Sequence, residues 1–183
     1  MNWTLPGTIL DVPRADADKT VDLLSPMFLA GGMMLSQVTS ITGLESHVIQ
    51  NWVKRKFLSP PVNKRYDMKQ VCRILNINLL RGALPLERIC DLMAYINGDL
   101  TDESDDLVND TDLYFMFVRL AARARDHSHR EQWDEAIEQV LSRHPDTVPG
   151  AKDRIRNVLR IMLTAWIAGR LRQSAEKMLS ELS

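Results

Sequence analysis

A mainly α protein is what this sequence predicts, and three observations predict it. Apolar residues recur at helical spacing in most long segments, most plainly at Ile155, Leu159, Met162, Leu163, Trp166, Ile167, Leu171, Met178 and Leu182. Gly, Pro and Asn mark the boundaries between such runs, at Gly43, Pro60, Pro61, Gly82, Pro85, Gly98 and Pro145. No strand longer than a short proline-rich segment at 57–66 stands out, and no internal repeat is present.

Residues 1–24 are polar, carry Pro6, Gly7 and Pro13, and read as an extended arm ordered in part by Trp3, Leu5 and Ile9; the arm as a whole runs over 1–32, to Gly31 and Gly32. Four short helices are expected over 33–98. The first begins at Ser36, a good N-cap, and stops at Gly43. The second runs from about 45 to 56, capped by Glu45 or Ser46, with Val48, Ile49, Trp52 and Val53 as its apolar stripe. The segment "FLSPPVNKRY" is too rich in proline for helix, and Asn63 suits a turn position. Asp67 opens the third helix, which carries Val71, Ile74, Leu75 and Leu79 and ends near Arg81 and Gly82. Pro85 sits in the first turn of the fourth, where a missing N–H does no harm. Ile89, Leu92, Met93 and Ile96 form that helix's inner face, and Asn97–Gly98 end it. Residues 99–112 read as an acidic linker. A pair of long helices follows, at about 113–143 and 151–182, forming a helical C-terminal region (113–183) that dimerisation suits.

The 183 residues are 45% apolar and 26% charged, ordinary for a globular chain, with a formal net charge of -1. That balance excludes a generic polyanion binder, but the charge is segregated. Residues 33–98 hold nine Lys/Arg against four Asp/Glu, and 99–112 hold seven acids and no base. Cys72 and Cys90 lack the paired spacing of a zinc site and fall on apolar helix faces, as small buried hydrophobes do. So few cysteines suit a reducing compartment. "SPMFLAGGMML" is too short to span a membrane and does not follow a basic n-region, so neither a signal peptide nor a span is expected, and a cytoplasmic location is the default expectation. His127 and His129 are two residues apart, so on a helix they point to different sides and make no metal pair. The acidic run lacks the glycine and closing glutamate of an EF-hand loop. With no Gly-rich phosphate loop, nucleophile elbow or paired metal ligands, the chain is not expected to be an enzyme, and no cofactor or metal is expected.

What remains is the stretch "QNWVKRKFLSPPVNKRYD" at 50–67, which threads Lys54, Arg55, Lys56, Lys64 and Arg65 among Trp52, Phe57, Leu58 and Tyr66. A solvated helix face does not need the prolines, and a core segment does not carry such charge. A helix braced by another across Gly43 can enter the major groove of DNA. Ser46, His47, Gln50 and Asn51 then face base edges, Gln and Asn being able to bond adenine bidentately. Lys54, Arg55 and Lys56 hold phosphates at the helix end, and Lys64 and Arg65 grip the neighbouring backbone. The aromatics serve to pack helix and wing together.

The block from Leu35 to Met93 resembles the N-terminal winged helix-turn-helix domain of MerR-type transcription regulators, and in particular a bacterial family of uncharacterised MerR-like proteins. Thr42–Gly43 matches the turn, Trp52 the aromatic of the recognition helix, Phe57–Leu58 and Pro60–Pro61 the start of the wing, and Arg65–Tyr66 its exit. Two departures stand out: Gln50–Asn51 replace the usual Arg-Tyr, and the wing is short. The resemblance implies a homodimeric, sequence-specific regulator of transcription that binds double-stranded DNA and pairs through its C-terminal helices, with any effector unidentified and no membrane involved. A protein-interaction adaptor built on the same winged helix is the alternative.

Overall fold

The protein is organised around α4 (Met68–Leu80), a helix buried on almost every side. The computed structural model describes residues 2–13, 18–98, 100, 106–124, 130–144 and 148–182. Within these residues the fold is mainly helical, with eight α-helices and two small antiparallel sheets. Val71, Cys72, Ile74, Leu75, Ile77 and Leu80 of α4 are all buried, so no single stripe serves and the helix must be surrounded. Its start is well specified: the Asp67 carboxylate accepts the Gln70 N–H at 2.8 Å, and the Gln70 side chain returns to the Asp67 N–H at 3.0 Å.

The chain begins with a hairpin where the sequence promises only an extended arm. β1 (Asn2–Thr4) pairs antiparallel with β2 (Asp11–Pro13), and Trp3 and Leu5 are buried. Long-range hydrogen bonds hold its loop. Tyr114 Oη donates to Pro6 O at 3.0 Å, Asn78 Nδ2 donates to Gly7 O at 2.8 Å and to Thr42 O at 3.1 Å, and Ile9 N donates to Ile41 O at 2.8 Å. Gly7 sits at φ +74°, where a Cβ would lie 2.4 Å from Leu75 O, a backbone atom that cannot step aside. Gly7→Ala is therefore expected to lower stability by about 2–4 kcal/mol, read as a lower urea midpoint with unchanged slope.

After α1 (Thr20–Leu24) and a 3-10 turn (Ser25–Phe28), the short strand β3 (Met33–Met34) pairs with β4 (Arg65–Tyr66). α2 (Leu35–Thr42) starts one residue before the expected Ser36, because Gln37 reaches back to the Met34 N–H at 2.8 Å. It ends at Gly43, φ +70°, the left-handed conformation that a C-terminal glycine supplies. Three residues later comes α3 (Ser46–Lys54), preceded by Glu45 as N-cap and shorter than expected because Lys56 turns left-handed. α5 (Leu86–Asn97) follows Pro85, which lies just before the helix rather than inside its first turn, and Gly98 closes it.

The expected pair of long C-terminal helices is three: α6 (Asp110–Ala124), α7 (Arg130–Leu141) and α8 (Ala151–Ser180). Packing explains the division. Ala136, Ile137, Val140 and Leu141 are buried, and a single helix over 113–143 would carry them away from the body into water. α6 also begins earlier than expected, capped by Asn109, whose Oδ1 accepts the Asp112 N–H at 2.8 Å. The linker's C-terminal residues thus belong to a helix, and Asp110 is buried rather than solvated. Residues 99 and 101–105 of the acidic run, and His127 and His129, lie outside the described residues. α6 and α8 meet through Phe117 and Trp166, edge to face with centroids 5.9 Å apart. Ile155, Leu159, Met162, Leu163 and Trp166 are consumed by this core, while Leu171, Met178 and Leu182 stay exposed. Among the described residues no helix is long and apolar enough to cross a membrane.

Candidate nucleic-acid interface

α3 divides cleanly into two faces. Ile49 and Trp52 are buried, with Val48 and Val53 half-buried beside them. Ser46, His47, Gln50, Asn51 and Lys54 are all exposed on the opposite side. These five positions follow the 3.6-residue period, so they form one outward stripe. On that stripe, and among the described residues, His47 Nδ1 lies 3.1 Å from its neighbour Glu45.

Beyond α3 the chain turns back towards β4. Val62 and Arg65 exchange backbone hydrogen bonds at 3.0 and 2.9 Å, and Asn63 and Lys64 between them lie at φ +50° and +64°. That is the pattern of a two-residue type I′ turn. Asn63 fits the left-handed region, but Lys64 takes the place where glycine is favoured. Lys56, just past the end of α3, does the same at φ +61°. Among the described residues the non-glycine positions with positive φ are these two lysines and Asn63. Each lysine costs about 1 kcal/mol relative to a glycine there. Both are exposed, so packing gives no reason for the choice of residue. Lys64→Gly is expected to raise stability by about 0.5–1 kcal/mol in urea unfolding while removing a cation from the turn tip.

The nine candidate residues do not share one situation. Lys54, Lys56 and Lys64 are exposed cations. Arg55 lies over the Phe57 ring, 4.6 Å from its centroid, and pairs with Glu87 of α5, whose carboxyl it holds below the usual range. Arg65 is half-buried and donates to Gly32 O at 2.8 Å, latching the turn to the segment before α2. Its position in the fold is thus structural as well as basic.

The turn rests on α4. Gln70 Nε2 donates to Pro60 O at 2.8 Å and to Ser59 O and Oγ at 3.2 and 3.1 Å. Arg73 Nε donates to Phe57 O at 2.8 Å, and its Nη1 reaches Asp110 at 3.1 Å. Asn76 Nδ2 donates to Asp110 O at 3.1 Å. Burial pushes the Asp110 carboxyl up, more than Arg73 and Lys69 pull it down. This buried pair ties the basic segment to α6. Its signal in the sequence is faint: Gln70, Arg73 and Asn76 are polar residues set among α4's apolar ones. Nothing local marks Asp110 as their partner.

Cys72 is buried and its thiol is pushed up to about 12, mainly by burial, so it stays protonated and inert. Among the described residues no group of three or more His, Cys, Asp or Glu is arranged to hold a metal ion.

A family match covers residues 11–117, more than half of the chain. The chain belongs to the family described as "Domain of unknown function (DUF1836)". It is also 22% identical over 160 residues to the Bacillus subtilis (strain 168) "Uncharacterized protein YkrK", covering 81% of this chain and 69% of the relative. No solved structure matches the chain significantly. The resemblance to MerR-type regulators is overturned by these matches: the family is DUF1836, and neither the family nor the relative points to the MerR type. A helix pair with a glycine turn, a proline-rich segment and Arg-x-Tyr is a local pattern, and local patterns recur on unrelated chains. The DUF1836 match begins at β2 and ends within α6. It therefore contains the outward stripe of α3, the left-handed lysines, and both Arg73 and Asp110.

Proposed function

We propose that this protein binds double-stranded DNA sequence-specifically as a homodimer and regulates transcription, with α2 and α3 as a helix-turn-helix and the turn around Asn63 and Lys64 as a short wing. The observation that carries this reading is the outward face of α3. It is polar at its N-terminal end, basic at its C-terminal end, exposed throughout, and continued by two lysines held where glycine is favoured. Ser46, His47, Gln50 and Asn51 stand where base edges pass a groove-bound helix. Lys54, Lys56 and Lys64 take phosphates, and Arg55 and Arg65 do so from positions fixed by Glu87 and Gly32.

A second copy is supported by α8. Ile161, Thr164, Ala168, Leu171, Ala175 and Met178 are all exposed and alternate in steps of three and four. That is the repeat with which one helix packs against another of the same kind. Leu171→Asp/Met178→Asp is expected to convert a dimer into a monomer in sedimentation analysis, and to weaken DNA binding without melting the body.

The deciding experiment is genomic footprinting of the tagged protein in its host, with Lys54→Glu/Lys64→Glu as control. Discrete promoter peaks that vanish in the control support the reading. No peaks from a folded, abundant protein overturn it in favour of a protein-interaction adaptor.

A further inference from the structure

The two carbonyls that end α2 find their partners outside the helix pair. A helix leaves its last carbonyls without donors of its own, so whatever satisfies them helps fix how the chain departs. Gly43 N–H returns to Thr39 O at 2.9 Å, as a left-handed stop does. Ile41 O accepts the Ile9 N–H at 2.8 Å, and Thr42 O accepts from Asn78 Nδ2 at 3.1 Å. The same Asn78 amide donates to Gly7 O at 2.8 Å. One side chain of α4 therefore holds the loop of the N-terminal hairpin and the α2–α3 turn together. The loop also touches the turn directly, since a Cβ on Gly43 would stand 2.9 Å from Ile9 Cγ2. Ile9 is 60% exposed, so its side chain adds little to the core.

The loop that makes these contacts is itself fixed. Tyr114 Oη holds Pro6 O, and Gly7 lies against Leu75 O. Thr8 Oγ1 donates to Leu5 O and accepts the Leu10 N–H, both at 3.0 Å. The hairpin thus transmits the position of α4 and α6 to the turn from which α3 starts.

α3 leaves that turn as a lever. Only Leu44 and Glu45 separate Gly43 from Ser46. A helix of this length reaches about 13 Å, so a tilt of about 10° at the turn moves its far end by about 2 Å. Hydrogen bonds to base edges do not survive such a shift. Lysines on flexible stems follow it and keep their phosphates. We propose that Asn78 and Ile9 are positioning residues: the hairpin loop sets the pose of α3, and with it the discrimination between DNA sequences, acting through the α2–α3 turn rather than by contact with DNA. This rests on the reading of α3 as the groove-entering helix.

The test is fluorescence anisotropy of the full chain on a footprinted promoter duplex and on a scrambled duplex of the same length and composition. Asn78→Ala removes the shared donor and should lower the ratio of specific to scrambled affinity at least about tenfold. Ile9→Ala, at an exposed position, keeps the test valid should Asn78→Ala fail to fold, and should lower the ratio at least about threefold. Affinity for the scrambled duplex and the salt slope should not change in either. Ile9→Val keeps a branched side chain against the turn and should keep the ratio. Hydrogen exchange of the free protein reads the same loosening without DNA: amides of α3 should exchange faster in the alanine variants, and those of α8 should not. A discriminating parent whose ratio survives in both alanine variants overturns this proposal alone. So does a fall of specific and scrambled affinity together, or unchanged exchange in α3. A parent that does not discriminate overturns the reading of α3, and this proposal with it.

Discussion

Lys54→Glu/Lys64→Glu is expected to remove duplex DNA binding and leave the fold intact. Both side chains are exposed, and neither position contributes to the buried core, so reversal should leave the unfolding free energy in urea within about 0.5 kcal/mol of the parent. Each cation, if it holds a phosphate, contributes a charge-assisted bond of about 1.5–3 kcal/mol. Losing two lowers affinity by at least about 100-fold. The salt dependence separates this from a loss of folding. Two fewer phosphates make the slope of log affinity against log salt shallower by about two. Fluorescence anisotropy on duplexes from the footprinted promoters, over a salt series, reads both quantities. An unchanged slope would remove Lys54 and Lys64 from the contact surface. Lys64 is a better choice than Arg65 here, because Arg65 also latches the turn to Gly32 and its loss would confound the result.

Arg73→Met should give the largest loss of stability among single changes on α4, about 3–5 kcal/mol near neutral pH. Methionine fills much of the arginine's volume, so packing is nearly kept. What is lost is the partner of a buried carboxylate and the donor to Phe57 O. The sign of the pH dependence follows from Asp110. Its carboxyl already sits above the ordinary range through burial, and losing Arg73 raises it further. The folded variant then binds that proton more tightly than the unfolded chain does. Its stability therefore rises as pH falls from the folded value towards the ordinary carboxyl value, and is lowest in the alkaline direction. Urea unfolding at about pH 5 and about pH 8 should show a smaller deficit at the lower pH. Adding Asp110→Asn to Arg73→Met should recover part of the loss and flatten the slope. No recovery would mean that the deficit arises from Phe57 O and packing alone.

The parts that were legible in the sequence are those set by neighbours in the chain. The helix start at Asp67, the glycine stop at Gly43 and the two faces of α3 all depend on residues within one or two turns of each other. The turn at Asn63 shows in the sequence, whereas its left-handed Lys64 does not, since lysine is no signal for that backbone. The hairpin was illegible because its partners are remote: Pro6 answers to Tyr114, and Gly7 to Leu75 and Asn78. Asp110 looked like one acid among seven, and only its meeting with Arg73 makes it a core residue. The division of α6 from α7 is likewise set by burial on a third helix rather than by the helical period, which runs through both.

The N-terminal hairpin also imposes an order on synthesis. β1 and β2 leave the ribosome well before α6, since the donor to Pro6 lies 108 residues later in the chain. At translation rates of about 5–20 residues per second, Pro6 waits roughly 5–20 s before Tyr114 is even made. Throughout that interval the apolar side chains of Trp3 and Leu5 have no complete seat, and neither has the side of α4 that they cover. A nascent chain halted before residue 114 should therefore be cut readily by protease within the hairpin at residues 2–13, and one halted with α6 fully emerged should resist.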